Sequence, residues 1–220
     1  MTIYGISGLG ADERVFKYLD LPCKFEAIHW IKPLDNDEPI SNYARRLAEQ
    51  IIDDEFILIA VSFGGLIAVE MNKILKPKLT IIISSVETAK DLRTIYRFIG
   101  ITGLVKVIPS FMISPPKPIM NWLFGAKNKK LLGEILHDTD VKFAKWAIIQ
   151  LTSWKNKEKV AGIIKIHGTR DKMIPSNPDN EIIAIKNGEH FMIVDRAKEI
   201  SQILKEIIIH HNELRNQSNL

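Results

Sequence analysis

Short runs of apolar residues alternate along the chain with segments in which apolar residues recur every three or four positions. The first pattern is typical of strands covered on both faces, and the second is typical of amphipathic helices. Their alternation predicts an α/β fold: a mostly parallel sheet of about six strands with helices on both faces. The apolar runs are TIYGIS (2–7), KFEAIHWI (24–31), FILIAV (56–61), LTIIIS (79–84), GIIKIHG (162–168) and EIIAIK (181–186).

The alternation stops between residues 88 and 160, where the spacing is helical and several prolines interrupt it. We therefore divide the chain into a core, residues 1–87 and 161–220, and a helical insertion, residues 88–160. We expect the insertion to lie as a lid over the carboxyl edge of the sheet. Residues 87–160 carry 13 Lys and Arg against 6 Asp and Glu. This basic surface is either an ordinary solvated helical face or one that attracts anionic substrates or an acidic partner.

The composition is that of an ordinary globular domain, with 46% hydrophobic and 25% charged residues among 220. Cys23 is the single cysteine, which excludes an intrachain disulfide and favours a reducing compartment. No signal-peptide pattern, apolar run of membrane-spanning length or nucleic-acid motif is visible. We therefore expect a cytoplasmic monomer or homodimer that acts on a small molecule, without a nucleic-acid or membrane partner.

A serine lies between the third apolar run and the helical pattern that follows it, in AVSFGG (60–65). Small residues, Ala60 and Gly64, lie two positions before and after Ser62. A sharp strand-to-helix turn with a nucleophilic serine needs small residues at those positions. Such a turn exposes the hydroxyl above the sheet, next to the positive end of a helix. The pattern also fits many ordinary turns, so it points to a nucleophile only if a base is present.

Residues after two other strands can supply the groups that a nucleophilic serine requires. His190 follows the last apolar run and is the candidate base, although a histidine there is also a common helix cap. Asp171 follows the fifth run and can orient the imidazole, although it also fits an ordinary turn. Glu87 is the alternative acid, and Asp195 is less favoured because we expect it along the final helix. The order Ser62, Asp171, His190 is the one found in α/β-hydrolases.

An oxyanion formed at Ser62 would need two backbone N–H donors. Phe63, directly after the serine, is one candidate. The loop SGLGAD (7–12) offers the N–H of Leu9, since Gly8 and Gly10 allow the backbone to approach closely. The same glycines also fit a tight turn into a helix capped by Asp12.

Together these segments resemble the α/β-hydrolase family, in particular its small serine hydrolases and esterases with a lid. The resemblance runs from ISGLGADERVF through AVSFGG and HGTRDKMIP to GEHFMIV, nearly the whole chain. It implies catalysis without a cofactor or metal. The chain departs from the family in two ways. Ser7 precedes Gly8, where the family usually has a histidine, and the sequence starts directly at the strand before the oxyanion loop.

The resemblance implies a serine hydrolase that cleaves a small carboxylic ester or thioester through an acyl-enzyme. A lyase or C–C bond hydrolase on the same triad, and a ligand-binding module on a hydrolase scaffold, remain alternatives. The insertion would shape the substrate pocket, and its candidate lining residues are Phe111, Met112, Trp122, Phe143 and Trp146.

Overall fold

The computed structural model describes residues 1–109, 116–175 and 182–218, with side chains as far as residue 213. All strand pairs are parallel, and the strand order is β2-β1-β3-β4-β5-β6. The predicted six-stranded α/β sheet is therefore confirmed. The strands are β1 (Thr2–Ile6), β2 (Lys24–Ile28), β3 (Phe56–Val61), β4 (Leu79–Ile83), β5 (Ile163–Gly168) and β6 (Ile183–Ile185).

The central strand β3 shows why its sequence is continuously apolar. Leu58 and Ala60 belong to one buried cluster, whereas Ile57 and Ile59 belong to another on the opposite face of the sheet. Since side chains alternate between the faces of a strand, both faces of β3 need apolar residues. The sheet thus separates two hydrophobic cores.

Helices cover both faces. Buried residues of α1, α2 and α7 form the core on one face, and those of α6, α8 and α9 form the core on the other. None of the helices in the described ranges is both long and apolar enough to cross a bilayer. The helices are α1 (Ile40–Leu47), α2 (Phe63–Asn72), α3 (Thr94–Thr102), α4 (Leu104–Val107), α5 (Lys117–Phe124), α6 (Lys129–Asp138), α7 (Val141–Ser153), α8 (Met192–Asp195) and α9 (Ala197–Ser218).

Two elements differ from the sequence-based expectation. The helix expected after Asp12 is a single 3₁₀ turn, Glu13–Val15, in which the Asp12 carboxylate accepts the backbone N–H of Arg14 and binds its guanidinium. The final helix is interrupted at Arg196, whose backbone (φ −124°, ψ 25°) departs from helical values between α8 and α9. The interruption separates the short helix beside His190 from the long C-terminal helix.

The segment between β4 and β5 carries α3 to α7, so its predicted helical character is confirmed. Trp146 is fully buried, its ring packs against Tyr43 and Phe63, and its indole N–H donates to the carbonyl of Glu38. It is a core residue, which corrects the expectation that it lines a pocket.

The other predicted pocket residues are in different surroundings. Phe143 is buried beside Trp30, with 5.1 Å between ring centroids. Trp122 is 63% exposed, and the Lys172 Nζ lies 5.7 Å from its ring centroid. Trp122 therefore lies at the surface rather than in the wall of an enclosed pocket. Phe111 and Met112 are outside the described residues.

The two tryptophans provide a matched test of this packing. We expect Trp146→Ala to lower the free energy of unfolding by about 3–5 kcal/mol, because it empties a filled site in the core. Trp122→Ala removes an exposed ring and one cation–π contact, so we expect a loss below about 1 kcal/mol. Urea denaturation of both variants measures the difference, and equal losses would contradict the assignment of Trp146 to the core.

Candidate active site

Ser62 lies at the turn between β3 and α2 in a strained backbone conformation. Its φ is 52° and its ψ is −122°, in a region that residues with a side chain rarely occupy. The Ser62 N–H donates to the carbonyl of Ile83 (3.0 Å). The Ser62 carbonyl accepts the Ser85 hydroxyl (2.7 Å) and the Gly65 N–H (2.9 Å). Both backbone groups of the strained residue are therefore fixed by hydrogen bonds.

The two glycines after this serine lie where a side chain has no room. A Cβ at Gly64 would be 2.2 Å from the carbonyl oxygen of Ser7, and one at Gly65 would be 2.1 Å from the Ser85 hydroxyl. Ala60 is fully buried in β3, between register partners on β1 and β4, so a methyl group fits at the first small position of the turn. The turn thus requires glycine after the serine but accepts alanine before it.

The structure brings Ser62, His190 and Asp171 into one hydrogen-bonded chain. The Ser62 Oγ is 2.9 Å from the His190 Nε2, and the His190 Nδ1 is 2.7 Å from the Asp171 Oδ2. An ionised carboxylate can only accept, so Nδ1 carries the proton and Nε2 is free to accept the serine hydroxyl. His190 and Asp171 are buried, whereas Ser62 is partly exposed. This arrangement can transfer a proton from the hydroxyl to the imidazole.

The Asp171 carboxylate accepts three hydrogen bonds, one of them from His190. Its Oδ1 accepts the backbone N–H groups of Met173 and Ile174, both at 2.9 Å. Burial raises the pKa of the Asp171 carboxyl, but the charge of His190, its hydrogen bond and the Ile174 N–H outweigh burial. The net pKa lies below the ordinary value, so Asp171 is ionised at neutral pH and can stabilise an imidazolium.

His167, at the end of β5, is a second buried histidine beside this carboxylate. Its Nε2 contacts the carbonyl of Ile174 and is 3.7 Å from the Asp171 Oδ2. Burial lowers the pKa of the His167 imidazole, and the nearby charge of His190 lowers it further, against the opposing effects of Ile174 and Asp171. This position of His167 beside the acid was not predicted from the sequence.

Two glycines bring the loops of the acid and the base together. A Cβ at Gly168 would be 2.3 Å from the carbonyl oxygen of Gly188, and the Arg170 N–H donates to that same carbonyl (2.9 Å). Lys172 and Glu189, the neighbours of the acid and of the base, form an ion pair at 2.5 Å. These contacts were not predicted from the sequence, in which the glycine that ends β5 and the glycine two residues before His190 are the visible signals.

The two expected oxyanion donors lie on either side of the serine. Phe63 is the first residue of α2, so its N–H has no partner within the helix. Gly8, next to Leu9, lies against the serine, since its Cβ would be 3.3 Å from that of Ser62. Within the described ranges, neither the Leu9 N–H nor the Phe63 N–H has a protein acceptor.

The oxyanion loop is held in place without the histidine that often precedes its glycine in α/β-hydrolases. The Ser7 hydroxyl donates to the carbonyl of Ala11 (2.7 Å), and the indole N–H of Trp30 donates to the same oxygen (2.9 Å). The Thr139 hydroxyl donates to the carbonyl of Gly10 (3.0 Å). These bonds tie residues 7–11 to β2 and to the segment between β4 and β5.

The connection between α5 and α6 is bonded to the segment that carries the base. The Phe124 ring lies 5.3 Å from that of His190, and the Phe124 carbonyl accepts the Phe191 N–H (3.0 Å). The Asp195 carboxylate accepts the N–H groups of Lys127 (2.7 Å) and Asn128 (3.0 Å). Asp195 is therefore a structural acceptor and lies on α8 rather than along α9.

Glu87, the alternative acid, has a different role. Its carboxylate forms a buried ion pair with Lys165 (2.9 Å) and accepts the Val160 N–H (2.7 Å). The hypothesis that Glu87 orients the imidazole is therefore wrong. Its charge compensates a lysine on β5 that would otherwise be buried alone.

No protein-family model matches the sequence, and no curated protein matches it significantly. Many solved structures share the fold. A thermophilic esterase from Thermogutta terrifontis is 11% identical, with a TM-score of 0.70 over 96% of this chain and 90% of that one. A carboxylesterase of Nitrososphaera gargenis is 17% identical, with a TM-score of 0.68 over 96% and 91%. A lipase-esterase related protein from Clostridium acetobutylicum is 14% identical, with a TM-score of 0.65 over 93% of each chain. The chain therefore has the α/β-hydrolase fold.

The same glycine substitution should have opposite effects at two positions. We expect Gly64→Ala to lower the free energy of unfolding by about 1–3 kcal/mol, because the new methyl group meets the carbonyls of Ser7 and Ile6. Gly133 lies inside α6 with open space around its Cβ position, so Gly133→Ala should raise stability by about 0.5–1 kcal/mol. Thermal and urea denaturation measure both effects, and a neutral Gly64→Ala would contradict the close approach.

The lowered pKa of His167 gives a pH dependence of stability with a definite sign. Below the unfolded pKa of about 6.5, the unfolded chain takes up a proton that folded His167 resists, so stability falls as pH falls. When the pH falls from about 7.5 to 5.5, we expect the free energy of unfolding to decrease less for His167→Gln than for the wild type. Urea midpoints at several pH values measure this, and parallel curves for the two proteins would refute it.

Proposed function

We propose that the protein is a serine hydrolase that cleaves small carboxylic esters or thioesters. The observation that carries this proposal is the hydrogen-bonded chain from the Ser62 hydroxyl through His190 to the ionised Asp171 carboxylate. A serine hydroxyl is a poor nucleophile unless a base accepts its proton, and a third group keeps the base in the right tautomer. Esterases among the structural neighbours support ester cleavage as the reaction.

In the first half of the reaction, the Ser62 Oγ attacks the carbonyl carbon while the His190 Nε2 takes the hydroxyl proton. The Asp171 carboxylate stabilises the resulting imidazolium. The N–H groups of Phe63 and Leu9 bind the oxyanion, and loss of one such donor typically costs about 10²–10³ in rate. The imidazolium then protonates the leaving alcohol or thiol, which departs and leaves an acyl-enzyme on Ser62.

In the second half, water replaces the leaving group. The His190 Nε2 takes a proton from that water, which attacks the acyl carbonyl and forms a second oxyanion at the same two N–H groups. Collapse of this intermediate returns the proton to the Ser62 Oγ and releases the carboxylic acid. Apart from the ester or thioester and water, these steps use only groups of the chain itself.

Apolar side chains beside the serine support an apolar acyl group. The Trp30 ring centroid lies 6.0 Å from that of Phe63 and 5.1 Å from that of Phe143, and Leu9 packs against the same cluster. Phe143 is buried within this cluster, so the partly exposed Leu9 and Trp30 are the members that we expect to contact an acyl group.

We expect Ser62→Ala to lower the hydrolysis of nitrophenyl esters and acyl thioesters by about 10⁴-fold or more, because the nucleophile is lost. The double variant Ser62→Ala/His190→Ala should be no slower than Ser62→Ala, since residues that act as one unit are not additive. Steady-state rates measured on one panel of esters and thioesters test both statements and rank the two substrate classes.

The matched control is Ser153→Ala, which removes an exposed hydroxyl from α7 and should keep wild-type rates. A fluorophosphonate probe should label Ser62 in the folded wild type and not in Ser62→Ala. Equal ester hydrolysis by wild type and Ser62→Ala would overturn the mechanism. Absence of both labelling and turnover would instead favour a ligand-binding role, and labelling without ester turnover would favour a lyase or C–C bond hydrolase.

A further inference from the structure

The successive helices α3 and α4 expose a series of large apolar side chains. Phe98 is 61% exposed and Ile101 is 85% exposed. Residues three apart lie on neighbouring turns of a helix. The series therefore forms a ridge along α3, and it resumes on the short α4 after the break at Gly103. We call this series the apolar ridge: Ile95, Phe98, Ile101, Leu104 and Val107, all exposed.

The opposite side of these helices holds them to the protein. A Cβ at Gly100 would be 2.0 Å from the carbonyl oxygen of Thr152, so α3 packs directly on the backbone of α7. Val105 is buried, and the Lys145 Nζ donates to the carbonyl of Lys106. The ridge is therefore the outer face of a docked pair of helices rather than a core face that has come loose.

The charged residues of the segment that carries the ridge are basic, and one of them, Lys106, is paired with Asp37 (2.5 Å). Between Asp91 and Glu134 the sequence contains no acidic residue. Arg93 and Arg97 are exposed on the same helical stretch as the ridge. The basic residues of this interval are Arg93, Arg97, Lys106, Lys117, Lys127, Lys129 and Lys130.

The positive charge of the segment around the apolar ridge indicates what kind of partner binds there. Single exposed apolar side chains are normal, but a contiguous exposed patch usually marks an interaction site. A second copy of this chain docked there would bring two basic surfaces together, and like charges facing each other are unfavourable. An anionic bilayer offers both an apolar layer for the ridge and negative head groups for the arginines and lysines.

We propose that the apolar ridge docks the protein peripherally on anionic lipid bilayers. The side chains of Phe98 and Ile101 would enter the boundary between head groups and acyl chains, while Arg93 and Arg97 would bind lipid phosphates. This interaction needs no membrane-spanning helix, so it revises the expectation of no membrane partner, which rested on the lack of such a helix.

The same surface lies beside the candidate active site. The Tyr96 hydroxyl on α3 donates to the carbonyl of Met173 (3.0 Å), and Trp122 on α5 lies next to Lys172. Both contacts reach the turn that begins at Asp171. A docked bilayer would therefore lie close to the part of the protein that holds the acid.

Vesicle binding of the full-length Ser62→Ala variant tests the proposal independently of any hydrolysis. Vesicles of phosphatidylcholine alone are compared by sedimentation with vesicles that also contain phosphatidylglycerol. We expect binding to the second kind that weakens as salt is added, and much weaker binding to the first. Equal binding to both kinds of vesicle, without dependence on salt, would overturn the proposal that the protein docks on anionic lipids.

Two pairs of double variants, each made in the Ser62→Ala protein, test the apolar ridge and the arginines beside it. Phe98→Ser/Ile101→Ser should weaken binding at least about tenfold, because two apolar side chains no longer enter the bilayer. The control Leu34→Ser/Ile52→Ser replaces equally exposed apolar residues elsewhere and should bind like its parent. Arg93→Glu/Arg97→Glu should weaken binding by at least about fivefold per charge, whereas Lys76→Glu/Lys198→Glu should have a clearly smaller effect.

Thermal denaturation shows whether each variant is folded. Sedimentation velocity of the parent and of Phe98→Ser/Ile101→Ser then distinguishes the two possible partners. A dimer that the ridge substitutions convert to a monomer, together with no vesicle binding by the parent, would overturn the proposal in favour of self-association. Equal vesicle binding by the ridge variant and its control would also overturn it.

Discussion

The close approach of α2 to the end of β1 is the constraint on which the site depends. Gly64 lies so near the carbonyls of Ile6 and Ser7 that no side chain fits between them. This contact fixes where α2 begins relative to the sheet. The hydrogen bonds to the Ile83 carbonyl and from the Ser85 hydroxyl then hold Ser62 at a positive φ. The buried neighbouring strands hold the backbone of Ser62 in its strained conformation. The sheet, and not a flexible loop, therefore sets the position of the Ser62 hydroxyl.

Much of the fold and the core of the site follow from local sequence. β1, β3 and β4 are buried along their whole length and nearly continuously apolar, which makes them visible without a structure. Parallel strands end at one edge of the sheet, so residues that follow different strands come together there. That rule is sufficient to bring Ser62, Asp171 and His190 to one place, although they are far apart along the chain.

What the sequence could not reveal depends on partners that are distant along the chain. Trp122 and Trp146 lie in similar apolar helical patterns. Trp122 is nevertheless exposed, whereas Trp146 is buried against Tyr43 on α1. Glu87 follows a strand as a catalytic acid would, but it pairs with Lys165, a residue 78 positions away. No local pattern distinguishes a carboxylate that orients an imidazole from one that compensates a buried lysine.

The bonds between the α5–α6 connection and α8 have a mechanical consequence. Three hydrogen bonds, one to the Phe124 carbonyl and two to the Asp195 carboxylate, join this connection to the chain directly after the base. Swinging α5 and α6 outward would break all three and remove the ring that packs on the imidazole. Any movement of α5 and α6 away from α8 would therefore also disturb the imidazole of His190.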